Sequence, residues 1–463
     1  MAENYTHTNL QDAPTTTNWS WNLVVLGAAE SGIGAALLGK QKGYQVFVSD
    51  AGTIKDNYKQ ELIDNGIEFE EGRHTEEKIL KADEVMKSPG IPEKNEMVKK
   101  IRAKEIPIIS EIELAYRFKG DSKIVAVTGS NGKSTTTSLI YYICQKAGLD
   151  CALVGNIGYS FAKQVAENPK PLYVAEISSF QLDDIKDFKA DVAVLLNITE
   201  DHLDRYDYNF QKYIDSKFRI VQNQHEQDNF IYNLDDEVIT NKLKTILITS
   251  NLLPFTMKQE TKKGAYIKGD QMMLKVNEER VSMNIYDFAQ TGKHNQYNTM
   301  AAGVAAMTMD IRKEKIREAV ETFESLEHRM EPVAVVRGVE FINDSKATNI
   351  NSSWFALESM TKPVILILGG TDKGNDYSIL EDLVREKVKT IVCLGVDNTK
   401  IHTAFDKIVP VIDTASAQDA VQASFNAAEK GDVVLLSPAC ASFDLFKNYE
   451  DRGKQFKEAV KAL

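Results

Sequence analysis

Cysteine is scarce in this chain. Four appear among 463 residues, Cys144, Cys151, Cys393 and Cys440, and no two make a Cys-x-x-Cys pair. That scatter argues against a disulfide framework or a structural zinc site and fits a reducing compartment. Positive charge is in deficit too, with 55 Lys and Arg against 67 Asp and Glu for a net charge of −12. No basic stripe interrupts the excess, so no nucleic-acid partner is expected. Small anions remain possible ligands, because a loop or helix end binds them whatever the net charge. Long apolar runs are missing. None approaches the roughly 20 residues needed to cross a bilayer, so no membrane span is expected. The opening MAENYTHTNLQDAPTTTNWSW lacks a charged-then-apolar leader. Its Thr- and Asn-rich composition predicts a disordered tail over 1–21. A cytoplasmic location is the expectation.

What is present is ordinary globular material, 43% hydrophobic and 26% charged. The length suggests about three domains. Short apolar runs alternate with helical stretches, the pattern of α/β folds with mainly parallel sheets. It restarts three times, at NLVVLG from Asn22, at KIVAVTGSNGKST from Lys123, and at VEFINDSK after Glu331–Pro332. Domains are therefore expected over 22–112, 113–325 and 326–463, the first and last Rossmann-like and the central one of P-loop type.

The second restart carries the clearest chemistry. In VAVTGSNGKSTTT, Val125–Thr137, an apolar strand enters a glycine turn, and Lys133 and Ser134 open a helix. Such a turn folds backbone amides around phosphate oxygens, the lysine neutralises them and the serine is placed to ligate Mg²⁺. Val127 occupies the position of the first glycine of a full phosphate loop, so this is the shortened GxxGKS form. Downstream, Glu176 ends the strand of LYVAEISSFQL, where an ATPase core places a Mg²⁺-holding acid. His202 stands among Glu200, Asp201 and Asp204 in NITEDHLDRY. Lys217, on the next helix, reads in isolation as a surface lysine.

A second glycine loop, with Gly27, Gly32 and Gly34, follows the first strand, and Asp50 ends the next within reach of a ribose. Ala29 replaces the central glycine of a dinucleotide fingerprint, and Glu30 is an acid beside a pyrophosphate position. NAD or another nucleotide diphosphate both fit at this point. The turn KSPGI, with Ser88 and Gly90, is placed to cap the same ligand.

Taken together, TGSNGKST, GNIG at Gly155–Gly158, EISSFQL, NITEDHLDRY, GKHNQYN, EHR, NDSKATN at Asn343–Asn349 and LSPACASFD at Leu436–Asp444 resemble the Mur ligase family in both content and order, from Asn22 to Leu463. NDSKATN and SPACASFD look most like its D-glutamate-adding branch. The resemblance implies an ATP-dependent amide ligase of peptidoglycan biosynthesis. It would add D-glutamate to UDP-N-acetylmuramoyl-L-alanine through an acyl phosphate, with two Mg²⁺ and a lysine carbamylated by CO₂. Matching positions imply ATP contacts at Gly129, Asn131, Gly132, Lys133, Ser134, Thr135, Asn298, Arg329 and Asp344. They imply metal or catalytic roles for Ser134, Lys133, Glu176, His202 and carbamylated Lys217. They imply UDP-substrate contacts at Gly32, Asp50, Ser88, Gly90 and Asn156, and D-glutamate contacts at Lys346, Thr348, Lys373, Ser442 and Tyr449. The family usually has Phe where Tyr449 stands. A monomer is expected. The alternatives are another Mur ligase or a folylpolyglutamate synthetase-like ligase. A nicotinamide dehydrogenase would leave the phosphate loop and third domain unused, and a switch GTPase would need an NKxD motif that the chain lacks.

Overall fold

The computed structural model describes residues 21–289, 292–323, 327–372 and 374–463. The tail expected over 1–21 lies, apart from Trp21, outside the described residues. The chain divides into two compact units.

The first unit runs to Lys119 and takes in two later returns of the chain, Ser160–Pro169 and Asp184–Lys186. Its five-stranded sheet runs Glu68–Glu71, Gln45–Asp50, Asn22–Leu26, Glu84–Lys87, Ile108–Ile109, all neighbours parallel. The apolar run NLVVL is the central strand and is buried along almost its whole length. Helix Glu30–Gln41 follows it, and Gly34 lets Ser160 of the first return approach, since a Cβ there would stand 2.0 Å from its hydroxyl. The second return brings Asp184, whose carboxylate receives the buried Lys87 ammonium at 3.0 Å and Arg102 at 2.5 Å.

The second unit holds two sheets. Nine strands follow the order Glu279–Asn284, Gln271–Val276, Gly264–Lys268, Asn251–Thr256, Asn229–Asn233, Val192–Leu195, Lys123–Thr128, Leu172–Glu176, Cys151–Gly155. Strand Gln271–Val276 is antiparallel to both its neighbours, and every other pairing in this sheet is parallel. The phosphate-loop strand Lys123–Thr128 is thus flanked by Val192–Leu195 and by the strand ending in Glu176. Helices Lys133–Lys146 and Lys293–Thr308 bury their apolar faces against this sheet, with Ile140, Ile143, Ala301 and Val304 inaccessible to solvent. The second sheet has six strands, ordered Glu331–Val336, Val339–Asn343, Val433–Leu436, Val364–Leu368, Val388–Leu394, Val411–Thr414. The third sequence restart is therefore preceded by one antiparallel strand, Glu331–Val336. The apolar run VILIL is central and fully buried, so side chains pack on both its faces: Leu366 and Leu368 on one, Ile365 and Ile367 on the other.

Glu111 gives the first unit a pH dependence. Its buried Oε1 accepts from Ser160 Oγ at 2.7 Å and from the Ala162 amide at 2.5 Å, at the start of helix Phe161–Glu167. Burial pushes its carboxyl from 4.5 up to about 7. Between those values the folded chain keeps a proton that the unfolded chain has lost. Stability therefore falls as pH rises from about 4.5 to 7 and is flat above, a loss on the order of 3 kcal/mol. Glu111→Gln keeps the accepting oxygen without the charge. Urea unfolding of this variant is expected to lose roughly 2–3 kcal/mol of the pH 5 to pH 8 decline; an unchanged decline would assign it to other groups.

Candidate functional site

The glycine turn after Lys123–Thr128 is held by backbone conformations that only glycine adopts freely. Gly132 has φ 81°, and a Cβ there would stand 2.4 Å from Asn298 Oδ1. Gly129, at φ 155°, faces Leu196 in the same way. The Asn197 side chain clasps the turn, accepting from the Asn131 amide at 2.8 Å and donating to the Asn131 carbonyl at 3.0 Å. Ser130 Oγ donates to the Thr199 carbonyl at 2.9 Å. Asn197 and Thr199 lie in the quoted NITEDH segment, but their bonds to the turn follow from strand adjacency and have no signature of their own.

Lys133 Nζ folds back to the carbonyls of Gly129 and Ser130, both at 2.8 Å. Lys217 Nζ reaches the same Gly129 carbonyl at 2.8 Å. The sequence alone reads Lys217 as a surface residue; instead it is 1% exposed. Helix Phe210–Phe218 buries Tyr213, Ile214, Lys217 and Phe218 on one face, and the ammonium lies 4.6 Å from the Tyr213 ring centre. Burial and then Lys133 hold the Lys217 amine well below the usual lysine range. Burial also lowers Lys133.

Glu176 is buried at its strand end. Its Oε1 accepts from Asn156 Nδ2 at 2.7 Å, and its Oε2 has no hydrogen-bond partner among the described residues. Burial alone would raise this carboxyl. Lys346, Lys133, Asn156 and the Ser134 hydroxyl outweigh it, and the group lies below the ordinary glutamate range. His202 sits on a left-handed turn at φ 53°, with Nε2 3.7 Å from Asp201 and its ring edge against Phe180. Asp201 also accepts from Asn349 Nδ2 at 3.3 Å.

A cavity of about 290 Å³ opens beside the turn. Asn131, Gly132, Thr135, Asn298, Arg329, Asp344 and Lys346 line it, so the structure gathers these expected residues around one space. Arg329 Nη2 donates to Ser134 Oγ at 3.0 Å, while its buried Nε has no hydrogen-bond partner among the described residues. Asp344 accepts from Ser437 Oγ at 2.9 Å, and burial pushes its carboxyl up to about 7. Burial and then Arg329 bring Lys346 down to about 8. His294, Asn295, Tyr297 and Phe355 complete the wall. The first three lie in GKHNQYN, where only Asn298 was singled out. Asn298 stands one helical turn from Asn295 and donates to it at 3.2 Å. Burial lowers the His294 imidazole to about 4, and its ring centre lies 5.7 Å from that of Phe355.

Lys346 Nζ lies 5.2 Å from the Tyr449 ring centre, and the Tyr449 carbonyl accepts from Ser345 Oγ at 2.8 Å. Ser442 is buried, and Thr348 is half-buried ahead of helix Ile350–Glu358. Lys373 lies outside the described residues. Arg452, on the last helix, is fully buried. It donates to Ser345 Oγ at 3.0 Å, to the Ser345 carbonyl at 2.8 Å and to the Cys440 carbonyl at 3.2 Å, tying two loops together.

In the first unit, Asp50 turns inward. Its oxygens accept from the Ala28 amide at 2.7 Å and the Gly52 amide at 2.8 Å, so it shapes the glycine loop. Gly32 is needed because a Cβ there would stand 1.9 Å from the Gly27 carbonyl oxygen. Ser88 Oγ donates to that same oxygen at 3.3 Å, and the Ile91 amide closes the turn around Gly90 by donating to the Ser88 carbonyl at 3.0 Å. Glu30 accepts from Tyr58 Oη at 3.0 Å.

Family models match in chain order: a MurD N-terminal domain at 22–97, a Mur ligase middle domain at 127–306 and a Mur ligase glutamate ligase domain at 328–440. A UDP-N-acetylmuramoylalanine–D-glutamate ligase of Bacteroides fragilis is 54% identical over 445 residues, 95% of this chain and 99% of the relative. One from Christiangramia forsetii is 51% identical over 442 residues, again 95% and 99%. Among solved structures, the UDP-N-acetylmuramate–alanine ligase MurC of Thermotoga maritima matches with TM-score 0.61 at 15% identity, over 96% of this chain and 99% of that one. With relatives of more than half identity along nearly the whole length, the chain belongs to the Mur ligase family.

Proposed function

We propose that this chain joins D-glutamate to UDP-N-acetylmuramoyl-L-alanine, with ATP cleaved to ADP and phosphate, in the cytoplasmic stage of peptidoglycan synthesis. The observation that carries the reading is the set of four cations at the glycine turn, the buried Lys217 with Lys133, Arg329 and Lys346, against the carboxylates of Glu176 and Asp201. Such a surplus stabilises phosphoryl charge with little reorganisation. The names of the relatives at 51–54% identity support the substrates. We read the chain as three working domains, 22–112 for the UDP substrate, 113–325 for ATP and 326–463 for the amino acid; one sheet in each supports that division. We read the working unit as a monomer.

The γ-phosphoryl group passes from ATP to the alanyl carboxylate. The D-glutamate amine then attacks the acyl carbon, phosphate leaves, and the amine proton goes to solvent. Amides of Gly129, Gly132, Ser134 and Thr135 cradle phosphates, Asn131 shapes the turn around them, and Lys133 and Arg329 neutralise charge on the group in transit. Asn298 lies beside the phosphates and Asp344 takes the ribose. Lys346, Thr348, Lys373 and Ser442 meet the two glutamate carboxylates, with the backbone of Tyr449. Gly32, Asp50, Ser88, Gly90 and Asn156 serve the UDP substrate.

The residues fit Mg²⁺ as well. Glu176 offers a buried anionic oxygen without a donor, and the Ser134 hydroxyl lies beside it, a hard-oxygen set. Mg²⁺, when bound there, would polarise the phosphoryl oxygens as a Lewis acid. His202 and Lys217 would hold a second ion. An ammonium cannot ligate a cation, but burial holds the Lys217 amine well below the usual lysine range, which favours loss of its proton to give a nucleophilic nitrogen. Addition of its nitrogen to CO₂, with loss of one proton, gives an anionic carbamate.

Phosphate release with UDP-N-acetylmuramoyl-L-alanine, ATP and Mg²⁺ is expected only when D-glutamate is added. Release with L-glutamate, lysine or diaminopimelate instead would move the chain to another branch. Lys217→Ala is expected to lower kcat by about 100- to 1,000-fold. Wild type freed of CO₂ should lose activity and recover it with bicarbonate, and indifference to CO₂ would overturn the carbamate. Gly132→Ala, driven against Asn298, should cost at least about 100-fold in kcat/KM for ATP while the far-ultraviolet spectrum is kept.

A further inference from the structure

Two groups of side chains outside the ligase site bring metal-ligating atoms within 4.8 Å of one another, Glu327–His328–Glu331 and Cys393–His402–Asp413. The first is already satisfied internally. Lys457 engages both Glu327 and Glu331, and His328 Nδ1 lies 2.9 Å from Asn343 Nδ2. The second is built differently. Strands Val388–Leu394 and Val411–Thr414 pair in parallel with Cys393 opposite Asp413, so the two side chains share one face of the sheet. Helix Thr399–Phe405 crosses that face and packs Ile401 and Phe405 into the same core as Cys393, which lowers His402 onto the pair.

We propose that Cys393, His402 and Asp413 form a site for a thiophilic divalent cation such as Zn²⁺, separate from the nucleotide and Mg²⁺ chemistry. Thiolate, imidazole and carboxylate are the donor types that select such an ion. The Cys393 residue is 0% exposed, and its thiol makes no hydrogen bond among the described residues. His402 Nδ1 lies 2.8 Å from Asp406 Oδ1, and Nε2 lies 3.1 Å from Asp413 Oδ2. Asp406 is thus placed as the carboxylate that orients a ligating imidazole through its second nitrogen. His402 and Asp413 line an open depression of about 890 Å³ with Cys393 buried beside them, which leaves a fourth position to water or an exchangeable ligand. Binding as thiolate releases the Cys393 thiol proton to solvent. The loop above the site also touches the amino-acid domain's working segments: the Val396 amide donates to Asp444 at 3.0 Å, and Lys400 donates to Asp372 at 2.7 Å.

The test is titration of the full-length protein with Co²⁺ in excess Mg²⁺, read by absorption, with Zn²⁺ as competitor. One equivalent of Co²⁺ should give an intense near-ultraviolet thiolate-to-cobalt band that Zn²⁺ abolishes. Cys393→Ser should lose the band. His402→Gln, at a partly exposed position outside the core, should weaken Co²⁺ binding at least tenfold, and Asp406→Asn should weaken it about 10- to 100-fold. Ligase turnover without added Zn²⁺ should be unchanged in His402→Gln. Absence of the band in wild type would overturn the site and leave His402 as an ion-paired imidazolium. So would an unchanged affinity in both His402→Gln and Asp406→Asn, which decide the matter even where Cys393→Ser fails to fold.

Discussion

Everything at the glycine turn depends on one imbalance. Lys133, Lys217, Lys346 and Arg329 act on one another and on the buried Glu176, Lys217 fully buried and the others half-buried, and each lysine is pulled below its ordinary range. Burying cations without matching anions is costly, on a scale of several kcal/mol per ion before relaxation. The protein offsets part of that cost with backbone carbonyls, as Lys133 and Lys217 converge on the Gly129 oxygen. The surplus that remains suits the turn to an anionic ligand.

That arrangement is held by backbone more than by side chains. Gly132 accepts a left-handed conformation against Asn298, Asn197 clasps Asn131, and Ser352 Oγ donates to Asn131 Oδ1 at 2.8 Å. Arg452 performs the same service for the amino-acid segments, joining Ser345 to Cys440 without a carboxylate partner among its hydrogen bonds. Its guanidinium is brought down to about 10 by burial, which marks how far from water it lies. Short polar side chains and one buried fork thus fix the positions of groups that must act within fractions of an ångström.

Much of this is legible in the chain. The strand–glycine–lysine–helix order of Val125–Thr137 can hardly be read another way, and Glu176 and Asp344 lie at strand ends where the alternation of apolar and polar runs puts them. Lys217 and Arg452 are not legible from local pattern. Each sits in a helix whose apolar face is interrupted by one long cation, and the partners that permit burial, the Gly129 and Cys440 carbonyls, come from loops 88 and 12 residues away. The returns Ser160–Pro169 and Asp184–Lys186 escape for a related reason. They are short, and what binds them to the first unit is a buried pair of acids, Glu111 and Asp184, rather than any shift in composition.

The placement of the loops follows from the parallel sheets. In α/β proteins ligands gather beyond the carboxyl ends of the strands, where chain direction reverses on either side of a switch point. Gly129, Glu176 and Asn197 each follow such an end in the nine-stranded sheet, and Asp344, Gly369 and Ser437 do so in the six-stranded one. In the six-stranded sheet the switch lies between Val364–Leu368 and its neighbour Val433–Leu436, since the chain first moves away through Val388–Leu394 and Val411–Thr414. The segments that would meet the amino acid, after Leu368 and after Leu436, are those that flank this switch. The sheet order therefore supplies the cleft before any side chain is chosen, and the cations named above occupy a position that topology had already reserved for a ligand.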